Sequence, residues 1–270
     1  MQNGTAAVRL DADEAERYRA DGLVVPRLRL DDATLARLRA ALDRVLADNP
    51  DHRPENLMNV HIADGPEGVR GQQAFLDLAH DDRILDLVEP LIGPDLILWG
   101  CALFCKPAGA GRAVPWHQDG HYWPIRPLAT CTVWVALDRS DTGNGCMRYV
   151  AGSHRHGLMR HRTNDADGLA LNQELDPDLL DAGAMRDVVL DPGEMSLHDV
   201  FLVHGSNANT SDRRRAGVVL RYMPATSLFD RDVPPVPGTS GTSAPNFAAR
   251  PIFLVRGEDR TGRNVMRPAV

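Results

Sequence analysis

The sequence predicts a mainly β protein, an antiparallel sandwich or jelly roll with helices packed outside it. Helical periodicity is confined to the first third of the chain, and strand-like apolar runs fill the rest. Gly and Pro interrupt those runs at short intervals, as in stacked antiparallel strands. Helices followed by many strands, rather than alternating with them, point away from a parallel sheet.

Residues 11–21 read as a short helix capped at Asp11 or Asp13. Val24-Val25-Pro26 is extended. Asp31-Asp32 opens a second helix whose Leu35, Leu38, Leu42, Val45 and Leu46 share a 3.6-residue face, ending near Asn49-Pro50. Residues 51–69 form a loop punctuated by Pro54, Gly65, Pro66 and Gly68, within which Asn59-Val60-His61 alternates polar and apolar. Two further helices are expected over 72–79 and 82–92. From Leu96 the pattern changes to strands: 96–105, 130–137, 147–151, 188–190, 195–198, 200–203 and 216–223. Residues 229–248 carry Pro234, Pro235, Pro237 and a Gly-Thr-Ser run and read as a long loop. We expect one domain over 1–270: a helical buttress (1–92), a jelly-roll core (93–225), then the loop and a C-terminal segment (226–270).

A chain of 270 residues with 43% apolar and 25% charged residues is long enough for a sizeable core. A net charge of −7 argues against a general nucleic-acid surface. No apolar run approaches the ~20 residues of a membrane span, and Met1–Leu10 lacks the basic start and apolar core of a signal peptide. Cys101, Cys105, Cys131 and Cys146 form no CxxC pair, so buried free thiols and a cytoplasmic setting are expected.

The chemistry centres on Trp116 to Pro127. In an extended segment His117 and Asp119 lie two apart and address one point. His204, which follows an apolar run, is the candidate third ligand. Two imidazoles and one carboxylate hold an iron ion without filling its coordination sphere, which suits a non-haem Fe(II) oxygenase. The open positions accept a chelating co-substrate and dioxygen. A lone HxD arises often by chance, whereas HxD, a late His and an Arg one short strand beyond form a specific set. Arg215, eleven positions past His204 (215 − 204), suits the co-substrate's far carboxylate because a guanidinium grips carboxylate bidentately. Ser206 adds a hydroxyl. Alternation places Arg213, Arg215, Gly217, Val219 and Arg221 on one strand face, with Val218, Leu220 and Tyr222 on the other; Arg214 reads as a solvated turn.

These residues resemble the phytanoyl-CoA dioxygenase family of Fe(II)- and 2-oxoglutarate-dependent oxygenases. The resemblance runs from about Leu96 to Tyr222, through Trp116–Pro127, Trp134, Asn144-Gly145-Cys146, Gly152-Ser153-His154, His204-Gly205-Ser206 and Arg215. It implies a double-stranded β-helix, iron held by His117, Asp119 and His204, and 2-oxoglutarate held by Arg215 and Ser206, with Gln118 and Trp134 lining its site. Lys106, the only lysine, falls where the family often has one. Related halogenases replace the carboxylate ligand with a small residue; Asp119 therefore favours hydroxylation of an unactivated C–H bond with O2, releasing succinate and CO2.

Tyr122, Trp123, Trp134 and Phe104 suit a dry pocket. Asn59, His61, Tyr122, Trp123, Arg126 and Arg221 are the candidate substrate contacts, and two arginines suit a small polar, anionic metabolite. His121 is expected to turn away from the metal, and His154 to hold a turn. The alternatives are an acyl-CoA 2-hydroxylase and a metal-binding cupin-like protein without oxygenase activity. A small-molecule substrate is expected, with neither nucleic acid nor membrane as partner.

Overall fold

The computed structural model describes residues 9–236 and 245–266. Most of the Met1–Leu10 stretch, and Pro237 with the Gly-Thr-Ser run, lie outside the described residues. The helices are α1 (Ala12–Asp21), α2 (Asp32–Asp48), α3 (Gln73–Ala79) and α4 (Asp82–Ile92). Strands β1 (Leu23–Val24), β2 (Leu57–Met58), β3 (Leu96–Lys106), β4 (Val114–His117), β5 (Ile125–Arg126), β6 (Cys131–Ala136), β7 (Met147–Val150) and β8 (His161–Thr163) follow in chain order around them. Then come β9 (Gln173–Leu175), β10 (Met185–Val188), β11 (Met195–Asp199), β12 (His204–Ser206), β13 (Arg215–Pro224), β14 (Leu228–Phe229) and β15 (Phe253–Arg256). The protein is mainly β, with antiparallel sheets and a few helices.

The larger sheet runs β1-β11-β6-β13-β3-β15, with β2 also paired to β3; the smaller runs β10-β7-β12-β4. Alternation along β13 divides the larger sheet cleanly. Ala216, Val218, Leu220 and Tyr222 join Leu38, Leu42 and Val45 of α2, Phe75 of α3 and Leu87 of α4 in one apolar cluster. That cluster is why the helices cover this face: their 3.6-residue stripes have nothing else to bury against. The opposite face looks inward, where Trp134, Ala136 and Val219 pack with Met147 and Tyr149 of the smaller sheet.

The helix caps match the sequence reading. Asp11 accepts from Glu14 N while Glu14 reaches back to Asp11 N, a reciprocal capping box. Asp31 accepts from Thr34 N at the start of α2. Two strand expectations need correction. Residues 200–203 form a turn, tightened by Asp199 accepting from Phe201 N, and pairing resumes only at His204. The stretch expected at 188–190 instead pairs over 185–188. The short strand β15, which pairs with β3, lies in a region read only as a C-terminal segment. No described helix is long and apolar enough to cross a membrane, and all four cysteines are free and buried.

Candidate active site

The two histidines of the triad are cross-strand neighbours. In the β12–β4 pairing His204 stands directly opposite His117, and their ring centroids are 4.3 Å apart. The strand carrying His117 ends there, and Asp119 opens a 3₁₀ turn. Extended backbone at Gln118 (φ −117°, ψ 132°) still turns His117 and Asp119 to the same side. One donor atom from each of His117, Asp119 and His204 lies within 4.8 Å of the others. Donors bound cis to one ion at ~2.1 Å stand ~3 Å apart, so the widest separation in the set has to contract by up to about 2 Å for all three to share an ion.

Hydrogen bonding fixes which ring nitrogen faces inward. His117 Nδ1 lies 2.9 Å from Pro115 O, and His204 Nδ1 lies 3.0 Å from Leu202 O. A carbonyl only accepts, so both Nδ1 atoms carry the proton and both Nε2 lone pairs are available to a metal. Burial, with His117 nearby, lowers His204 to about 3, which keeps the ring neutral. Burial alone would raise Asp119, but the His117 and His198 imidazoles hold it well below the usual carboxylate range. Two neutral imidazoles and one carboxylate form a donor set that fits Fe(II).

A second feature adjoins the triad. Arg215 and Lys106 pair across β13 and β3, and they are only 3% and 2% exposed. Arg215 donates from Nε and Nη2 to Gly145 O at 3.1 and 2.8 Å, and its guanidinium lies 5.4 Å from the Trp134 ring. Lys106 Nζ donates to Ser206 Oγ at 2.7 Å and to Asn207 O. Neither cation has a carboxylate within ion-pair distance among the described residues. Burial and then the Arg215 charge lower Lys106 to about 6; burial lowers Arg215 to about 10, still cationic at neutral pH. A buried guanidinium without a protein counter-charge, beside a hydroxyl and a buried amine that a bound anion would protonate, is matched to a dianionic ligand. Two glycines make the arrangement possible. A Cβ on Gly217 would lie 2.2 Å from Trp134 Cζ2, and one on Gly145, at φ 77°, would lie 2.5 Å from Asn207 O.

A cleft joins the two features; Phe104, Tyr122, Trp123, Trp134, Ser206, Arg215 and Arg221 line it with the triad. Four other expected contacts lie elsewhere. Gln118 is fully buried and wholly committed to backbone, donating to Gly157 O and Phe201 O and accepting from Met159 N. It braces loops behind the metal ligands rather than lining the co-substrate site. Asn59 has φ 56° and donates to the buried Glu67, outside the cleft. His61 is buried edge-on against Phe253. Arg126 is exposed and donates to Trp123 O and Ile125 O. His121 turns away, stacked on His161 at 4.1 Å, and His154 bonds to Arg19 O, tying the turn at 153–156 to α1.

Sequence reasoning missed Arg250, Phe247, Thr132 and Trp99, all of which line the cleft. Phe247 lies at the end of the long loop and Arg250 just beyond it, and neither carries a spacing relative to the HxD. Trp99 reaches the cleft through a bulge: Arg221 pairs with Gly100 and Tyr222 with Leu98, so Trp99 is the extra residue.

Comparison with known proteins fits this geometry. The family model described as phytanoyl-CoA dioxygenase matches residues 18–217. The peroxisomal phytanoyl-CoA dioxygenase of Bos taurus is 24% identical over 269 residues, 92% of this chain and 76% of the relative. The apo form of the non-heme monooxygenase ThoJ is 30% identical with a TM-score of 0.73, over 95% of this chain and 88% of that one. The epimerase SnoN, solved with Fe3+, alpha ketoglutarate and nogalamycin RO, is 25% identical with a TM-score of 0.66, over 86% of this chain and 91% of that one.

Proposed function

The chain belongs to the phytanoyl-CoA dioxygenase family and is a 2-oxoglutarate-dependent non-haem iron dioxygenase; from that premise we propose that it hydroxylates an unactivated C–H bond of a small polar, anionic metabolite. In this reading the double-stranded β-helix of residues 93–225 carries the site, and residues 1–92 buttress it. Bound Fe(II) would supply the oxidative chemistry: 2-oxoglutarate loses CO2 and takes one atom of O2 to become succinate, and the other atom enters the substrate's C–H bond. His117, Asp119 and His204 hold the iron through two Nε2 atoms and one carboxylate oxygen. The carbonyls of Pro115 and Leu202 hold both imidazoles in the tautomer that can ligate.

Arg215 receives the far carboxylate of 2-oxoglutarate on its guanidinium. Ser206 and Lys106 complete the grip, with Lys106 drawing its proton from solvent when the dianion arrives. Trp134, over the Arg215 guanidinium, and Phe104 exclude water from this end. Tyr122 and Trp123 wall the end where substrate binds. The single observation that carries the proposal is the direct juxtaposition of a ligating triad with a buried Arg215–Lys106 pair that has no carboxylate partner among the described residues. A cupin that only bound metal would have no use for that pair.

The test is succinate release across a panel of acyl-CoAs, amino acids, simple carboxylic acids and phosphonates. Substrate-stimulated succinate formation by a small anionic member supports the proposal. Stimulation by acyl-CoAs alone would replace it with an acyl-CoA 2-hydroxylase.

A further inference from the structure

The cleft has a second cationic end, and it is built differently from the first. Arg215 and Arg221 are six residues apart on the same face of β13, which separates their Cα atoms by roughly 20 Å. Around Arg221 the polar atoms are buried and unpartnered: Trp99 Nε1, Thr132 Oγ1, both His198 ring nitrogens, Arg221 Nε and Arg250 Nε. All five residues line the cleft. Buried polar atoms in folded proteins are nearly always hydrogen-bonded, so a cluster of them around one cavity marks a place where a ligand supplies the partner.

The two arginines form the core of this cluster. Their guanidinium carbons lie 5.8 and 6.0 Å from the same Trp99 ring. Arg221 also faces the Trp123 ring at 5.3 Å. Such stacking explains where the planar groups sit but leaves both Nε–H donors unanswered. No carboxylate is within ion-pair distance of Arg221 among the described residues. Arg250 is anchored from behind, donating from Nη2 to Glu67 Oε1 at 2.6 Å. Glu67 is in turn filled by Asn246 N and the Asn59 amide, and it does not line the cleft. Asn59 thus acts two contacts away from the cavity, by fixing the acid that fixes Arg250.

We propose that Arg221 and Arg250 form a second oxyanion site, which takes the carboxylate or phosphate-type group of a substrate whose remaining body is apolar. This rests on the dioxygenase reading, keeps its anionic group and replaces the polar body proposed above with an apolar one. The apolar requirement comes from Trp99, Trp123 and Phe247, which surround the two guanidiniums. The register also sets a length. His198, Thr132 and Arg221 stand opposite one another on adjacent strands β11, β6 and β13, and His198 Nε2 is 3.7 Å from Asp119 Oδ2. Two strand spacings, about 10 Å between backbones, carry the sheet from His198, beside the metal ligands, to Arg221, whose guanidinium is still close enough to act on the Asp119 carboxylate. The C–H bond to be oxidised lies a few bonds from the anion, whereas the phosphates of a CoA thioester would lie a whole pantetheine arm away.

The test uses 3-phenylpropionate as probe and 3-phenylpropanamide as its uncharged isostere. Binding is read by the fluorescence of Trp99 and Trp123 in metal-free protein. The wild type is expected to bind the acid at least tenfold more tightly than the amide. Arg221→Met and Arg250→Met each remove most of that preference, while Arg215→Met keeps it. Equal binding of acid and amide by the wild type overturns the proposal and needs no variant to fold. So does a preference that survives both cleft-end substitutions or vanishes in Arg215→Met. If wild-type protein with Fe(II) and 2-oxoglutarate shows no chelate charge-transfer band under anaerobic conditions, the failure belongs to the dioxygenase reading and not to the anion site.

Discussion

Lys106 combines two conflicting demands, a charge wanted by a ligand and a position that expels charge. In the free protein, burial and the neighbouring Arg215 bring it to about 6. A bound dianion favours the protonated form, so its value rises on binding. Between those two values, binding takes up a proton, and affinity for 2-oxoglutarate falls as pH rises, by up to about tenfold per unit. Titrations from pH 6 to 9 should show that slope in the wild type and a flatter line in Lys106→Met; parallel lines would remove Lys106 from the co-substrate grip. Gln118 supplies the complementary case. Gln118→Ala strands two carbonyls and an amide in the interior, at a cost of about 2 kcal/mol or more. The expected result is a lower Tm with an unchanged KM for 2-oxoglutarate; a raised KM in fully folded protein would return Gln118 to the co-substrate site. Its neighbours His117 and Asp119 were legible because their spacing forces both to one side. The residue between them points the other way for the same reason, which resemblance alone did not convey.

Strand β13 carries both cationic ends of the cleft on one face. One of its faces holds Ala216, Val218, Leu220 and Tyr222 against the helices, and the other presents Arg215, Val219 and Arg221 to the cleft. This division was readable from alternation, because every second residue of a strand shares a face. Gly217 is the exception that allows Trp134 to lie across the strand. Gly217→Ala places a methyl 2.2 Å from the indole, so Trp134 has to swing off Arg215. We expect a several-fold rise in KM for 2-oxoglutarate with smaller loss of stability, checked by steady-state kinetics alongside thermal unfolding; unchanged KM would separate Trp134 from the co-substrate site. The bulge on β3 was not legible. An uninterrupted apolar run gives no sign of where one residue is doubled, so nothing in it marked Trp99 as facing the cleft. Residues 200–203 failed for a related reason: an apolar run was read as a strand, but Asp199 caps a turn there.

At the scale of the molecule, one apolar cluster unites α2, α3, α4 and the outer face of the larger sheet. On that packing the helices and strands unfold together. Leu38 is fully buried in this cluster, and Leu38→Ala is expected to cost about 2–5 kcal/mol. A single transition shifted to lower temperature, with KM values unchanged in the folded protein, supports the buttress reading of residues 1–92. Two separated transitions would contradict it. Helix existence and extent were readable from periodicity and caps because both are local. The Arg221–Arg250 pole was only half visible, since Arg250 arrives from a segment without periodicity and is fixed by Glu67, 183 residues earlier in the chain.

The central claim is that His117, Asp119 and His204 hold ferrous iron while Arg215 grips the chelating co-substrate. Adding Fe(II) and then 2-oxoglutarate under anaerobic conditions tests it directly, by the visible metal-to-ligand charge-transfer band of the chelate. The account predicts the band in the wild type, its absence in His204→Ala, and in Arg215→Ala a band that needs at least tenfold more 2-oxoglutarate while Fe(II) affinity is kept. Bands of equal intensity at equal 2-oxoglutarate in all three proteins would contradict it.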